Sequence, residues 1–212
     1  MDKLIKKIIL RTELEVLTGL HIGNSSDNVE IGGVDNPIVR RTIDNVPYIP
    51  GSSIKGKIRS LLEQIAGSSK VGGNSEINEL FGFAKDNIPS KIIVRDAYMQ
   101  DASKKSLGDS EFTDMPYAEI KFENTIERIT GKAENPRQTE RVPAGAFFNV
   151  EFVINVFNSD EEGVKLLELL QKGIAALEND YLGGSGSRGY GQVKFGELKQ
   201  EVIDFKDYLK AE

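Results

Sequence analysis

The sequence predicts an α+β fold in the order β-α-β-β-α-β, on three observations. Four segments alternate apolar and polar residues at strand spacing, and two segments repeat apolar residues at helical spacing. Once two long polar excursions are set aside, strands and helices fall into two β-α-β halves. That order is the ferredoxin-like split unit, an antiparallel sheet with right-handed crossovers and both helices on one face, leaving the other face free to bind something. A chain of 212 residues suits a single domain over 1–212, with residues 18–51 and 99–145 as its insertions.

The first strand is expected over 7–17, where Leu14 and Val16 alternate with Glu13 and Glu15. The excursion 18–51 follows, rich in Gly, Asn and Asp and broken by Pro37 and Pro50, and far longer than the usual connection of about 4–6 residues. The first helix is read from Ile54, Ile58, Leu61, Leu62 and Ile65, with Ser52 and Ser53 as caps and Gly67 at its end. Lys55, Lys57 and Arg59 crowd its early turns, where cations oppose the helix dipole, so something anionic is expected to meet this end. Residues 68–76 read as a mobile loop and 90–99 as the second strand. A short strand signal lies at 117–123, inside an otherwise polar stretch. The strongest strand is 145–157, with Phe148, Val150, Phe152, Ile154 and Val156 on one face. A helix over 160–178 runs through Val164, Leu167, Leu170, Ile174 and Leu177; a glycine-rich turn, a strand at 189–195 and an acidic tail complete the chain.

Composition excludes several chemistries. The absence of cysteine removes disulfides, thiolate nucleophiles and Cys-ligated zinc. His21 is the single histidine, so multi-histidine metal sites and two-histidine acid–base schemes are impossible. The net charge of −6 rules out a globally basic protein but not a local basic face. No apolar run approaches a membrane span and no leader is recognised, so a cytoplasmic protein without a membrane partner is expected.

Four features could carry function. Residues 182–191, LGGSGSRGYG, let backbone N–H groups approach an anion, yet the turn opens a strand rather than a helix, which excludes Walker and Rossmann loops. Arg188 between Ser187 and Gly189 favours a polyphosphate backbone; a plain helix-to-strand connector is the alternative. Residues 37–60 carry Arg40, Arg41, Lys55, Lys57 and Arg59 against Asp44 alone, a +4 strip that would serve phosphates or be merely a solvated face. Residues 121–145 space Lys121, Arg128, Lys132, Arg137 and Arg141 along a stretch punctuated by Gly131 and Pro136; a projecting hairpin would let Ile126 and Ile129 wedge between nucleotides, and an exposed loop is the other reading. Asp35, among glycines and near Arg40 and Arg41, could be a base or metal ligand or could start a turn at Asn36-Pro37. The aromatic motifs of an RNA-recognition sheet are absent.

The segments GLHIG (19–23), GGVDNPIVR (32–40), YIPGSSIKGKIRSLLE (48–63), LFG (80–82), VRDAY (94–98), KFENTIERITGKAENPRQTERV (121–142) and YLGGSGSRGYGQVKF (181–195), in that order, resemble the backbone subunit of the type III-A CRISPR effector, the Csm complex, within the RAMP superfamily. The resemblance implies an RRM-like palm, an inserted thumb β-hairpin, and head-to-tail copies assembling along a CRISPR RNA beside other Csm-complex subunits. It implies cleavage of complementary target RNA at regular intervals with a divalent cation, Mg²⁺. Asp35 falls on the family's catalytic and metal-binding aspartate, and His21 on its histidine for guide binding. Ser52, Ser53, Lys55 and Arg59 fall on its RNA-backbone helix, Asn124, Arg128, Arg137 and Arg141 on its thumb, and Gly183, Gly184, Ser185, Gly186, Ser187 and Arg188 on its glycine loop. A lone carboxylate is a weak general base at neutral pH, so the expected division is that Asp35 positions the metal or a proton path while splayed RNA geometry aligns the 2′-hydroxyl. A non-catalytic RNA-coating subunit, a type III-B backbone subunit, a repeat-processing endonuclease and a non-RNA module stand as alternatives, and Asp96 and Glu119 as possible assistants.

Overall fold

A computed structural model of the chain describes residues 2–23 and 34–205; part of the 18–51 excursion, including Gly32 and Gly33, and the tail 206–212 lie outside the described residues. The elements are β1 (Leu4–Val16), β2 (Tyr48–Ile49), α1 (Gly51–Ile65), α2 (Ser75–Phe81), β3 (Ile92–Val94), β4 (Ala97–Met99), α3 (Asp101–Gly108), β5 (Glu119–Ile126), β6 (Ala133–Arg141), β7 (Phe147–Phe157), α4 (Val164–Glu178), β8 (Val193–Phe195) and β9 (Lys199–Asp204).

The main sheet runs β2-β4-β7-β1-β8, with β3 also on β7 and β9 also on β1, antiparallel throughout. Its centre is the long β1–β7 ladder from Leu4↔Phe157 to Glu15↔Phe147. Strand alternation decides its faces. Ile8, Leu10, Leu14 and Val16 meet Phe148, Val150, Phe152, Ile154 and Val156 on the inner side, all buried. Ile54, Ile58, Leu61 and Leu62 of α1 and Leu166, Leu170, Ile174 and Leu177 of α4 close that side. Each such aliphatic or Phe side chain contributes about 1.5–3 kcal/mol through burial. The α+β ferredoxin-like order is therefore observed, with β1, β3/β4, β7 and β8 as its four strands.

The predicted second strand is two strands: three residues separate Val94 from Tyr98 while two separate their partners Phe152 and Asn149, so the strand bulges at Arg95–Asp96. The bulge explains the start of α1. Gly51 sits so close that a Cβ would lie 2.1 Å from the Val94 carbonyl, and its N–H donates to Asp96 at 2.8 Å. Ser52 and Ser53 do not cap the helix; the N-cap is Pro50, without a side-chain bond, and the first N–H of α1 is met by the Asp96 carboxylate.

Residues 68–76 are not wholly loop. The Asn74 side chain accepts from the Ile77 N–H at 3.0 Å and starts α2, and the Gly72 N–H donates to Glu63. In α4 the inward stripe is Leu166, Leu170, Ile174 and Leu177, while Val164 is exposed; in α1 Ile65 is exposed. The segment read as an acidic tail contains β9, which extends the sheet along Lys6–Arg11 of β1. The strand expected over 189–195 is regular only over Val193–Phe195, because Gly191 turns back to bond the Gly19 carbonyl. The face opposite the helices is a groove of about 980 Å³ crossed by Arg11–Glu151 and Arg95–Glu151 pairs at 2.7 and 2.6 Å. Among the described residues, no helix is long and apolar enough to cross a membrane.

Among the described strands, β5 and β6 pair with each other and with no other strand, from Glu119↔Arg141 out to Ile126↔Ala133, and form the projecting hairpin, or thumb. Its tip is closed by Glu127, which accepts from the Thr130 N–H at 3.0 Å and from the Thr130 hydroxyl. Phe122, Ile126 and Ile129 stand exposed along it.

Candidate nucleic-acid interface

Three segments distant in sequence meet at the root of the thumb. Leu20 and Val142 exchange backbone hydrogen bonds, which fastens the end of β1 to the end of β6. Residues 35–40 run beside β6: the Asn36 N–H bonds the Gln138 carbonyl and the Glu140 N–H bonds the Asn36 carbonyl. The glycine turn reaches over both, with the Gly184 N–H on the His21 carbonyl at 2.9 Å. Gly183 must be glycine there, since its φ is +78° and a Cβ would lie 2.2 Å from the His21 oxygen.

Asp35 sits exposed at this junction, and its Oδ2 accepts the Gln138 N–H at 2.8 Å. The catalytic candidate is thus tied to the thumb's own backbone. His21 is half-buried against the same strand two residues along, Nδ1 2.7 Å from the Glu140 carbonyl oxygen. Glu140 is the buried post of the junction: its carboxylate accepts the Ile38 N–H at 2.8 Å and pairs with Arg40, whose guanidinium also bonds the Asn45 carbonyl. A buried carboxylate with this many donors fixes the loop that carries Asp35.

One strand along, Glu123 collects cations from three segments. Arg137 donates to its Oε2 at 3.0 and 3.2 Å, Arg188 of the glycine turn lies 3.6 Å from the same oxygen, and Lys121 lies 3.5 Å from Oε1. The Tyr190 hydroxyl donates to Oε1 at 2.8 Å. Burial would raise the Glu123 carboxyl, but the Tyr190 and Arg137 hydrogen bonds and the charges of Lys121 and Arg188 hold it below the usual carboxylate range. Tyr190 is pushed up to about 12, by burial first and then by its bond to Glu123. Lys121 at 4.4 Å and Arg141 at 4.5 Å both lie over its ring, and Arg141 also pairs with Glu119.

The predicted residues divide in two. Asp35, His21, Gly183, Gly184, Ser185, Gly186, Ser187, Arg188, Arg137 and Arg141 are gathered around the thumb root. Asn124 and Arg128 lie exposed further out on the hairpin. The α1 set is engaged elsewhere. Lys55 donates to the Ser90 hydroxyl at 2.7 Å and, being partly buried next to Arg59, has its pKa lowered. Arg59 bonds the Gly82 carbonyl, Asn78 and Glu63 at 2.7, 3.0 and 3.0 Å. The +4 strip of 37–60 is therefore not one cationic face: Arg40 pairs with Glu140, Arg41 with Asp44, Lys57 with Asp180 and Arg59 with Glu63. Lys57 is the α1 cation that reaches the glycine turn, its Nζ 3.5 Å over the Tyr181 ring on which Gly186 rests. Ser52 is exposed and Ser53 half-buried on the first turn of α1. Asp96 and Glu119, weighed as assistants, are occupied by the Gly51 N–H and Arg141.

Sequence reasoning missed Glu123, Glu140, Tyr190 and Lys57 as members of this junction. Only a pairing register for the hairpin would have placed Lys121, Glu123 and Arg137 side by side. Among the described residues, no group of three His, Asp or Glu side chains could hold a metal. Asp35 offers a divalent cation a single carboxylate, so an ion there would draw its other ligands from outside the described residues.

The chain is similar to known proteins over nearly its whole length. Residues 13–194 match the family model of the RAMP superfamily. The chain is 42% identical to the CRISPR system Cms endoribonuclease Csm3 of Methanothermobacter thermautotrophicus, over 92% of this chain and 85% of that protein. It is 41% identical to the protein of the same name from Streptococcus thermophilus, over 93% and 90%. The structure superposes on a Csm3–Csm4 subcomplex of the type III-A CRISPR-Cas interference complex with a TM-score of 0.60 and 34% identity, covering 99% of this chain and 86% of that one. A type III-B Cmr-beta complex bound to cognate target RNA shares the fold at a TM-score of 0.66 and 19% identity, over 94% of this chain and 61% of that one. With the family model spanning the palm and the thumb together, and relatives above 40% identity along nearly its whole length, the chain belongs to the RAMP superfamily.

Proposed function

We propose that this chain is the backbone subunit of a type III-A CRISPR interference complex, coating the CRISPR RNA beside further copies of itself and other subunits and cutting complementary target RNA. The observation that carries the reading is Asp35, an exposed carboxylate fixed by the Gln138 N–H where thumb, glycine turn and cations converge. RNA held through its phosphates leaves its bases to pair with a target, so sequence choice rests with the guide. The exposed Phe122, Ile126 and Ile129 suit the thumb to separating stacked nucleotides at fixed intervals.

In the proposed reaction the splayed nucleotide's 2′-oxygen bonds to the adjacent phosphorus as the bond from phosphorus to the 5′-oxygen breaks. The 2′-hydroxyl proton leaves toward Asp35 or water, and water returns a proton to the departing 5′-oxygen; a 2′,3′-cyclic phosphate and a 5′-hydroxyl result. Gln138 holds Asp35 at the thumb root, and Arg137 and Arg188 hold the strand by its phosphates. A divalent cation, Mg²⁺, bound at Asp35 would stabilise charge on the phosphate. The test is the assembled complex with complementary RNA. Asp35→Ala and EDTA are each expected to stop cutting while target binding survives; loss of binding together with cutting would refute the assignment.

A further inference from the structure

Glu123 has no role in the reaction described above, yet it is the most heavily engaged carboxylate of the thumb. Its side chain is 12% exposed and is met by Lys121, Arg137, Arg188 and the Tyr190 hydroxyl. The two arginines are not consumed by it: they remain 40% and 52% exposed, Arg137 directs its donors to a single oxygen, and Arg188 stands at 3.6 Å, beyond a hydrogen bond. A carboxylate held by two guanidiniums has the charge and donor geometry of a backbone phosphate held by the same pair. Arg137 belongs to the thumb and Arg188 to the glycine turn, so without an anion between them two like charges would face each other across the junction.

We propose that Glu123 is an internal stand-in for an RNA phosphate, which an incoming strand displaces from Arg137 and Arg188. This rests on the RNA-binding reading above. The device makes the subunit selective: a stray single strand must compete with a tethered carboxylate at each copy, whereas a guide engaged along several copies does so with many contacts at once. The Arg188 contact, with its guanidinium 52% exposed and 3.6 Å away, is loose enough for such an exchange to begin there. Tyr190 sets how firmly Glu123 is kept in place, since its ring is 1% exposed and its hydroxyl points at the carboxylate.

The test is the affinity of the full-length chain for a fluorescent oligouridylate across a salt series. Glu123→Gln keeps the shape and the Tyr190 contact but removes the charge. It is expected to bind about fivefold more tightly at 0.15 M salt, with a log–log slope steeper by about 0.7, because the carboxylate that the strand displaces in the wild type takes up a counterion and the glutamine does not. Glu168→Gln, the same charge change on the exposed face of α4, is expected to match the wild type. Adding Arg188→Gln to Glu123→Gln should return the slope to the wild-type value. Should Glu123→Gln not fold, Tyr190→Phe frees the carboxylate within an intact core and is expected to tighten binding about twofold. Equal affinity and slope for wild type and Glu123→Gln, or an equal gain from Glu168→Gln, would overturn the proposal. Failure of every form to bind RNA at low salt would instead overturn the RNA-binding reading.

Discussion

The two cationic regions of this chain look alike in sequence and behave differently in the fold. Along α1, Lys55 and Arg59 turn their donors onto Ser90, Gly82 and Asn78, and they stitch the helix to α2 and β3. At the thumb root, Arg137 and Arg188 meet over a single carboxylate with much of each guanidinium open to solvent. The number of positive charges does not separate a structural lysine from one available to a phosphate. What separates them is whether buried carbonyls and amides of the protein already take their hydrogen bonds.

The two aspartates of these regions give the largest contrast. Asp35 at the thumb root is exposed, and its replacement by alanine should cut target cleavage at least 100-fold in the assembled complex with a stability change within about 0.5 kcal/mol. Asp96, which receives the first N–H of α1, should behave in reverse: Asp96→Ala costs about 1 kcal/mol in thermal melts and leaves the cleavage rate per folded complex unchanged. Loss of cleavage in both variants would erase the distinction between the regions.

Arginines give the next contrast. Arg59→Ala strips hydrogen bonds from the buried Asn78 and Glu63, so denaturant unfolding should show a loss of about 2–3 kcal/mol. Arg188→Ala removes an exposed, loose pair, and the same measurement should move by less than about 1 kcal/mol. A smaller effect appears at alkaline pH. The folded chain keeps the Tyr190 proton up to about pH 12, while the unfolded chain releases it from about pH 10. Folding stability linked to Tyr190 is therefore intact below pH 10 and drains away between 10 and 12. Tyr190→Phe should flatten that part of the stability–pH curve; an unchanged curve would remove Tyr190 from the junction's energetics.

The palm was legible because its signals are local. Phe148 to Val156 alternate without interruption, and Ile54, Ile58 and Leu61 recur at helical spacing, so burial of one face dictates each element. Where the reading missed, a distant partner decided. The start of α1 depends on Asp96 and a bulge 45 positions away, and β9 exists only because β1 offers it an edge. Asp35 and the glycine turn were legible as candidates by composition and by resemblance. Their meeting at Gln138 and His21 depended on a register no single segment states, and so did the cation hub at Glu123.

On the proposed function, RNA phosphates meet Arg137 and Arg188 at the thumb root, while Lys55 and Arg59 of α1 serve the fold. The most direct measurement is the salt dependence of RNA affinity for two paired variants of the full chain, Arg137→Gln with Arg188→Gln and Lys55→Gln with Arg59→Gln. The thumb-root pair should lose about 1.4 from the log–log slope, two phosphate contacts on a single strand, and the α1 pair none. A slope that falls for the α1 pair and holds for the thumb-root pair would contradict the account.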